Sequence, residues 1–138
     1  MKTAVLLIIF NRSDTVGLVI DAIRPHKPER IYIAGDGPRS HKPGEAEACQ
    51  TTRDFVLSSI DWKCNIQTLF QTQNLGPGLG PPSAISWFLE QEPEGIILED
   101  DCLPAPDFFR FCESMLQKFR TDERVFHIGG NNPAGQIS

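Results

Sequence analysis

The run Ala4-Val5-Leu6-Leu7-Ile8-Ile9-Phe10 restricts the possible folds more than any other part of this chain. An unbroken aliphatic stretch with no polar alternation forms a strand covered on both faces, the condition of a central strand in a parallel sheet. The run is too short to span a bilayer. It meets Asn11-Arg12 without the small-residue site at which a leader peptide is cut, so it reads as a buried strand of a cytoplasmic protein. With 138 residues, 40% hydrophobic and 22% charged, the chain suits one domain with a core of ordinary size.

The remaining punctuation alternates strand and helix. Ser13 is a candidate N-cap for a helix carrying Val16, Val19, Ile20 and Ile23 on one face, ended by Pro25 and Pro28. Arg30-Ile31-Tyr32-Ile33-Ala34 gives a second strand, broken by Gly35-Asp36-Gly37-Pro38, and a helix follows over about 45–60. Residues 65–70 form a third strand, more polar and therefore nearer an edge. A Gly/Pro-rich loop over 74–82 leads to a short helix over 83–92, in which Ile85, Phe88 and Leu89 face inward. A fourth strand ends in acids, and a helix over 106–119 carries Phe108, Phe109, Cys112, Met115, Leu116 and Phe119 as its apolar stripe. A last strand is expected at 125–128, with His127 as a core residue, running into Gly129-Gly130-Asn131-Asn132, a turn. This order predicts an α/β three-layer sandwich with a mostly parallel sheet.

The fourth strand carries the chemistry. Gly95-Ile96-Ile97-Leu98 runs straight into Glu99-Asp100-Asp101. Two unit charges about 4 Å apart repel by about 4 kcal/mol at an effective dielectric near 20. Three adjacent carboxylates with no Lys or Arg nearby call for a counter-cation. Mg²⁺ or Mn²⁺ suits oxygen donors, taking one or two carboxylates together with substrate phosphates. The alternative is a solvated strand end, or an Asp capping the next turn.

In a parallel sheet the strand C-termini share one rim, where open α/β sheets bind ligands. That rim would hold Asn11 and Arg12, Asp36, and the acidic triplet, with the loop from Asn74 through Gly76 alongside. Arg12 offers forked donors to a phosphate and Asp36 an acceptor to a base or ribose; equally, Arg12 is a surface cation beside Asp14 and Asp36 part of a tight turn. Gly76, Gly78 and Gly80 match no phosphate-loop pattern, and Pro81-Pro82 removes amide donors. The net charge of −5 argues against nucleic acid or an anionic membrane as partner. Cys49, Cys64, Cys102 and Cys112 follow no zinc spacing. A receiver-type phosphoacceptor fold would want acids on the first strand, which instead ends in Asn11-Arg12.

The stretch Ile97 to Asp101, followed by Ala105-Pro106-Asp107-Phe108-Phe109-Arg110-Phe111, resembles the DXD region of N-acetylglucosaminyltransferase I and related GT-A glycosyltransferases. The ordered series Phe10-Asn11-Arg12, Gly35-Asp36-Gly37-Pro38, Asn74-Leu75-Gly76 and Ile97 to Cys102 is similar to bacterial family-2-like glycosyltransferases of the hemolysin-like type. The resemblance implies a GT-A, Rossmann-like fold and transfer of a sugar, with inversion, from a nucleoside diphosphate donor, a UDP-sugar, to an acceptor hydroxyl. It implies Asp101 as the Mn²⁺ or Mg²⁺ ligand, Glu99 facing the ribose or a metal-bound water, and Asp100 facing the donor sugar. Asn11, Arg12, Asp36, Asn74 and Gly76 fall to nucleotide-sugar binding. The chain departs from such relatives at Pro77-Gly78, where a basic residue is common, and at Pro81-Pro82, which is expected to interrupt a helix start. Relatives continue beyond the position of Ser138, so the resemblance also implies a C-terminally truncated domain, a catalytic base beyond Ser138 and an open edge prone to self-association. A non-catalytic nucleotide-binding remnant is the rival reading.

Overall fold

The computed structural model describes residues 1–131. Four strands, β1 (Val5–Ile9), β2 (Arg30–Gly35), β3 (Asn65–Phe70) and β4 (Ile96–Glu99), form one all-parallel sheet in the order β3-β2-β1-β4. The helices are α1 (Ser13–Ile23), α2 (Glu45–Ser59), α3 (Gly80–Leu89) and α4 (Phe108–Phe119). The architecture is Rossmann-like α/β. The polar strand β3 is an edge strand, as its composition demands, and β1 is central.

Side-chain alternation along β1 divides the core in two. Val5, Leu7 and Ile9 join Ile31 and Ile33 of β2 under Val16, Val19, Ile20 and Ile23 of α1, Val56 of α2 and Phe109 of α4. Leu6, with Tyr32 and Ala34, packs instead on Ala84 and Phe88 of α3. Three helices therefore cover one face and α3 alone the other, which makes the three layers. Gly95 lets α3 sit this close: a Cβ there would lie 2.3 Å from the Phe88 ring and 2.9 Å from the Ala4 carbonyl oxygen. Below the sheet, buried Glu92 binds Arg30 Nε at 2.6 Å and the Tyr32 hydroxyl at 2.8 Å. The Arg30 bond leads in holding its carboxyl below the usual range.

Four sequence expectations are corrected. Ser13 is the first residue of α1 rather than its cap, no side chain caps that end, and Leu89 of α3 is exposed rather than inward. Pro81-Pro82 does not delay the third helix to residue 83: α3 starts at Gly80 and takes both prolines in its first turn, where a backbone N–H has no intrahelical partner to lose. The segment 125–128 is not a strand, and His127 is exposed rather than in the core. After α4 the chain turns at Asp122, whose carboxylate accepts from Arg124, and Phe126 stands 97% exposed. The Arg124 N–H donates back to Asp122 Oδ1 at 3.1 Å and the Val125 N–H to the Asp122 carbonyl at 3.0 Å, a turn that takes donors a strand would use. The outer edge of β4 pairs with no strand among the described residues. Asn132 lies outside the described residues. No helix among them is long and apolar enough to cross a membrane.

Candidate functional site at the strand C-termini

Strand order reverses at β1: β2 lies on one side and β4, reached last, on the other. Ile8 pairs with Glu99, and Ile9 with Gly35. This register aligns Phe10, Asp36 and Asp100 at one rim, where the backbones diverge and leave a crevice. A cavity of about 410 Å³ opens there. Arg12, Asp36, Asn74, Gly76, Glu99, Asp100 and Asp101 all line it. Asn11 does not; its amide Nδ2 donates to Glu45 Oε1 at 3.2 Å. Apolar walls come from Ile8, Phe10, Leu69, Pro77, Pro81 and Ala84.

The three consecutive acids meet different surroundings. Asp100 turns inward, half-buried, and its Oδ2 accepts the Phe10 N–H at 3.2 Å, tying the end of β4 to that of β1. Burial, then the charges of Asp101 and Glu99, raise its carboxyl above the ordinary value against the pull of the Phe10 N–H and Arg12. Glu99 and Asp101 are exposed, and with Cys102 they bring one ligand atom each within 4.8 Å of one another. The donor set of two carboxylates and one sulfur fits a divalent cation, the carboxylates suiting Mg²⁺ or Mn²⁺ and the thiol a softer ion. Cys102, a cysteine outside any zinc spacing, donates from Sγ to Asp101 Oδ1 at 3.5 Å. Burial, helped by Asp101, raises its thiol. Arg12 Nη1 lies 3.4 Å from Asp101 Oδ2, with both side chains about half exposed (56% and 48%).

Asp36 sits in the most constrained position of the site. Its Oδ1 accepts the N–H groups of Gly37 at 2.8 Å and Leu75 at 2.7 Å. Its Oδ2 accepts the N–H of Gly76 at 2.9 Å and Asn74 Nδ2 at 3.2 Å. An ionised carboxylate has about four lone-pair sites, and the protein itself fills four. Asp36 is thus a latch that fastens the loop after β3 to the end of β2. Asn74 adds a bond to the Gly37 carbonyl at 2.9 Å. The loops approach so closely that a Cβ on Gly37 would fall 2.4 Å from the Gln73 backbone. Arg53 reinforces the junction, its Nη2 donating to the carbonyls of Asp36 at 3.0 Å and Gln71 at 2.9 Å. The Asp-Gly pair was a visible turn signal; nothing in the spacing marked Asn74 or Arg53 as its partners.

The start of α3 also faces the cavity but presents little to an anion. The Gly80 N–H is taken by the Gly76 carbonyl at 2.7 Å and that of Ser83 by Leu79 at 3.0 Å, while Pro81 and Pro82 have none. On the opposite wall Arg39 lines the cavity above the Phe10 ring. It binds Glu45 through Nε at 2.9 Å and Nη2 at 2.5 Å, and its backbone N–H donates to the same carboxylate at 2.8 Å. The Arg39 bond leads in pulling the Glu45 carboxyl down to about 2. Arg39 and Glu45 are six residues apart across a loop, a spacing without any sequence signature.

Comparison with family models, curated proteins and solved structures returns no match.

Proposed function

We propose that this chain binds a nucleoside diphosphate sugar, a UDP-sugar, together with Mn²⁺ or Mg²⁺, as the donor-binding part of a GT-A-type glycosyltransferase. The observation that carries the reading is the convergence of Arg12, the Asn74–Gly76 loop and the acidic triplet on one cavity at the point where strand order reverses. Chemistry that a sheet rim does not require is concentrated where parallel α/β sheets take ligands.

In this reading Glu99 and Asp101 hold the cation, with Cys102 beside them. When bound, a dication offsets phosphate charge and stabilises the departing diphosphate. Asp100, anchored on the Phe10 N–H, fixes the distance between β1 and β4 and so the width of the cleft. Asp36 holds the 74–76 loop as a wall and takes no direct contact with the nucleotide. Arg12, half exposed at the mouth, is positioned to exchange Asp101 for a phosphate oxygen once a cation neutralises that acid.

The test is titration calorimetry with UDP and Mn²⁺. Heat in the wild type that disappears in Asp101→Ala is expected; silence in the wild type, or equal heat in the variant, overturns the reading. A specific observation favours the rival that binding occurs without transfer. Of the cavity acids, Asp36 is saturated, Asp100 is tied to Phe10, and Glu99 and Asp101 are assigned to the cation. None is left among the described residues to deprotonate an acceptor hydroxyl, and no histidine lines the cavity. This second reading predicts UDP binding with no release of sugar from a UDP-sugar.

A further inference from the structure

We infer that Arg39, braced by Glu45, is the cavity's fixed anion contact and meets the diphosphate of the bound nucleotide. The role builds on the donor binding proposed above. A diphosphate in this cavity needs donors, and the wall formed by the start of α3 supplies none from Gly80 through Ser83. Arg12 is engaged with Asp101 and half in solvent. Asp36 faces only donors of its own loops. Arg39 is the other cation lining the cavity.

Its geometry is that of a prepared contact. Nε, Nη2 and the backbone N–H all point to Glu45, a buried carboxylate further held by Asn11 Nδ2. Nη1 has no hydrogen-bond partner among the described residues, and the guanidinium lies 5.8 Å from the centroid of the Phe10 ring. Two guanidinium donors held by Glu45 fix the plane of the group, and the backbone N–H bond fixes its base, so little side-chain freedom remains to be lost when Nη1 meets an oxygen. Glu45 offsets part of the charge, which limits the contact to a moderate one. Asn11 enters the site through this brace, as a positioning residue that acts through Glu45 and Arg39.

The experiment measures the affinities of UDP, uridine and inorganic pyrophosphate, each with Mn²⁺, for wild type, Arg39→Lys and the double variant Arg39→Gln/Glu45→Gln. The double variant removes the pair together, so no buried carboxylate is stranded. It should lose about three- to tenfold for UDP and pyrophosphate and leave uridine unchanged. Arg39→Lys, which keeps the charge and the Glu45 pair but loses the fork, should lose less and in the same two ligands; it decides the matter if the double variant does not fold. Equal losses for UDP and uridine, or no loss for UDP, overturn the role of Arg39 while leaving donor binding standing. Wild-type binding of pyrophosphate without preference for UDP, weakened in the variants, refutes the nucleotide reading and retains Arg39. No binding of any probe refutes both.

Discussion

Replacing Asp36 by Asn tests the latch most directly. The two residues have nearly the same shape, but an amide nitrogen only donates. One pair of protein donors, either Gly37 and Leu75 or Gly76 and Asn74, is left facing a donor in place of an acceptor. Hydrogen bonds to a charged partner contribute about 1.5–3 kcal/mol each, so two lost bonds cost about 3–6 kcal/mol in a dry site. Asp36 is half-buried and the loop reaches water when it opens, which reduces the expected loss to about 2–4 kcal/mol. That is a large share of the roughly 5–15 kcal/mol that holds a typical domain together. Urea denaturation measures the total, and amide hydrogen exchange at Leu75 and Gly76 localises it, since both N–H groups end on the Asp36 carboxylate. Asp14→Asn, an exposed acid in the first turn of α1, serves as the control and should change stability by less than about 0.5 kcal/mol. If Asp36→Asn behaves like Asp14→Asn, or protects Leu75 and Gly76 as well as wild type does, the carboxylate does not hold the wall.

Two pH-dependent outcomes follow from the same rim. Glu45 has its carboxyl lowered from 4.5 to about 2 by Arg39, so it adds stability above its unfolded value that is lost as pH falls from about 4.5 toward 2; urea midpoints across that range should drop in wild type and lose this component in Glu45→Gln. Asp100 is shifted the opposite way. Its raised carboxyl opposes folding once pH climbs past the unfolded value of 3.8, so Asp100→Asn, which still offers the Phe10 N–H an oxygen, should melt above wild type at pH 7 and lose that advantage near pH 3. A variant less stable than wild type at pH 7 would contradict the burial and charge crowding assigned to this residue.

Much of the architecture was legible because it depends on local period and punctuation. The unbroken apolar run of β1 announced a covered central strand, the Val16-Val19-Ile20-Ile23 spacing gave α1 its buried face, and the polar content of β3 placed it at an edge. The failures came where the deciding partner was distant. Pro81-Pro82 resembled an interruption until the preceding loop supplied Gly76 to start α3 on its own carbonyl. The stretch around Val125 had strand composition, yet it pairs with no strand among the described residues and Phe126 stays exposed.

The amino-acid order by itself determined that a mostly parallel sheet would form and that Asn11-Arg12, Asp36 and the three acids would gather on its C-terminal rim, because parallel strands share a direction and each of these residues ends a strand or lies within three residues of its end. Only the tertiary structure decided what each would touch. Asp36 is filled by the loop after β3, Asp100 by the backbone at the end of β1, and Asn11 by Glu45, while Arg39 takes a place at the rim that no spacing foretold. The reason is physical: strand direction is set by neighbours in the chain, whereas the hydrogen-bond partner of a rim carboxylate is set by loops 38 to 90 residues away in sequence that fold back beside it.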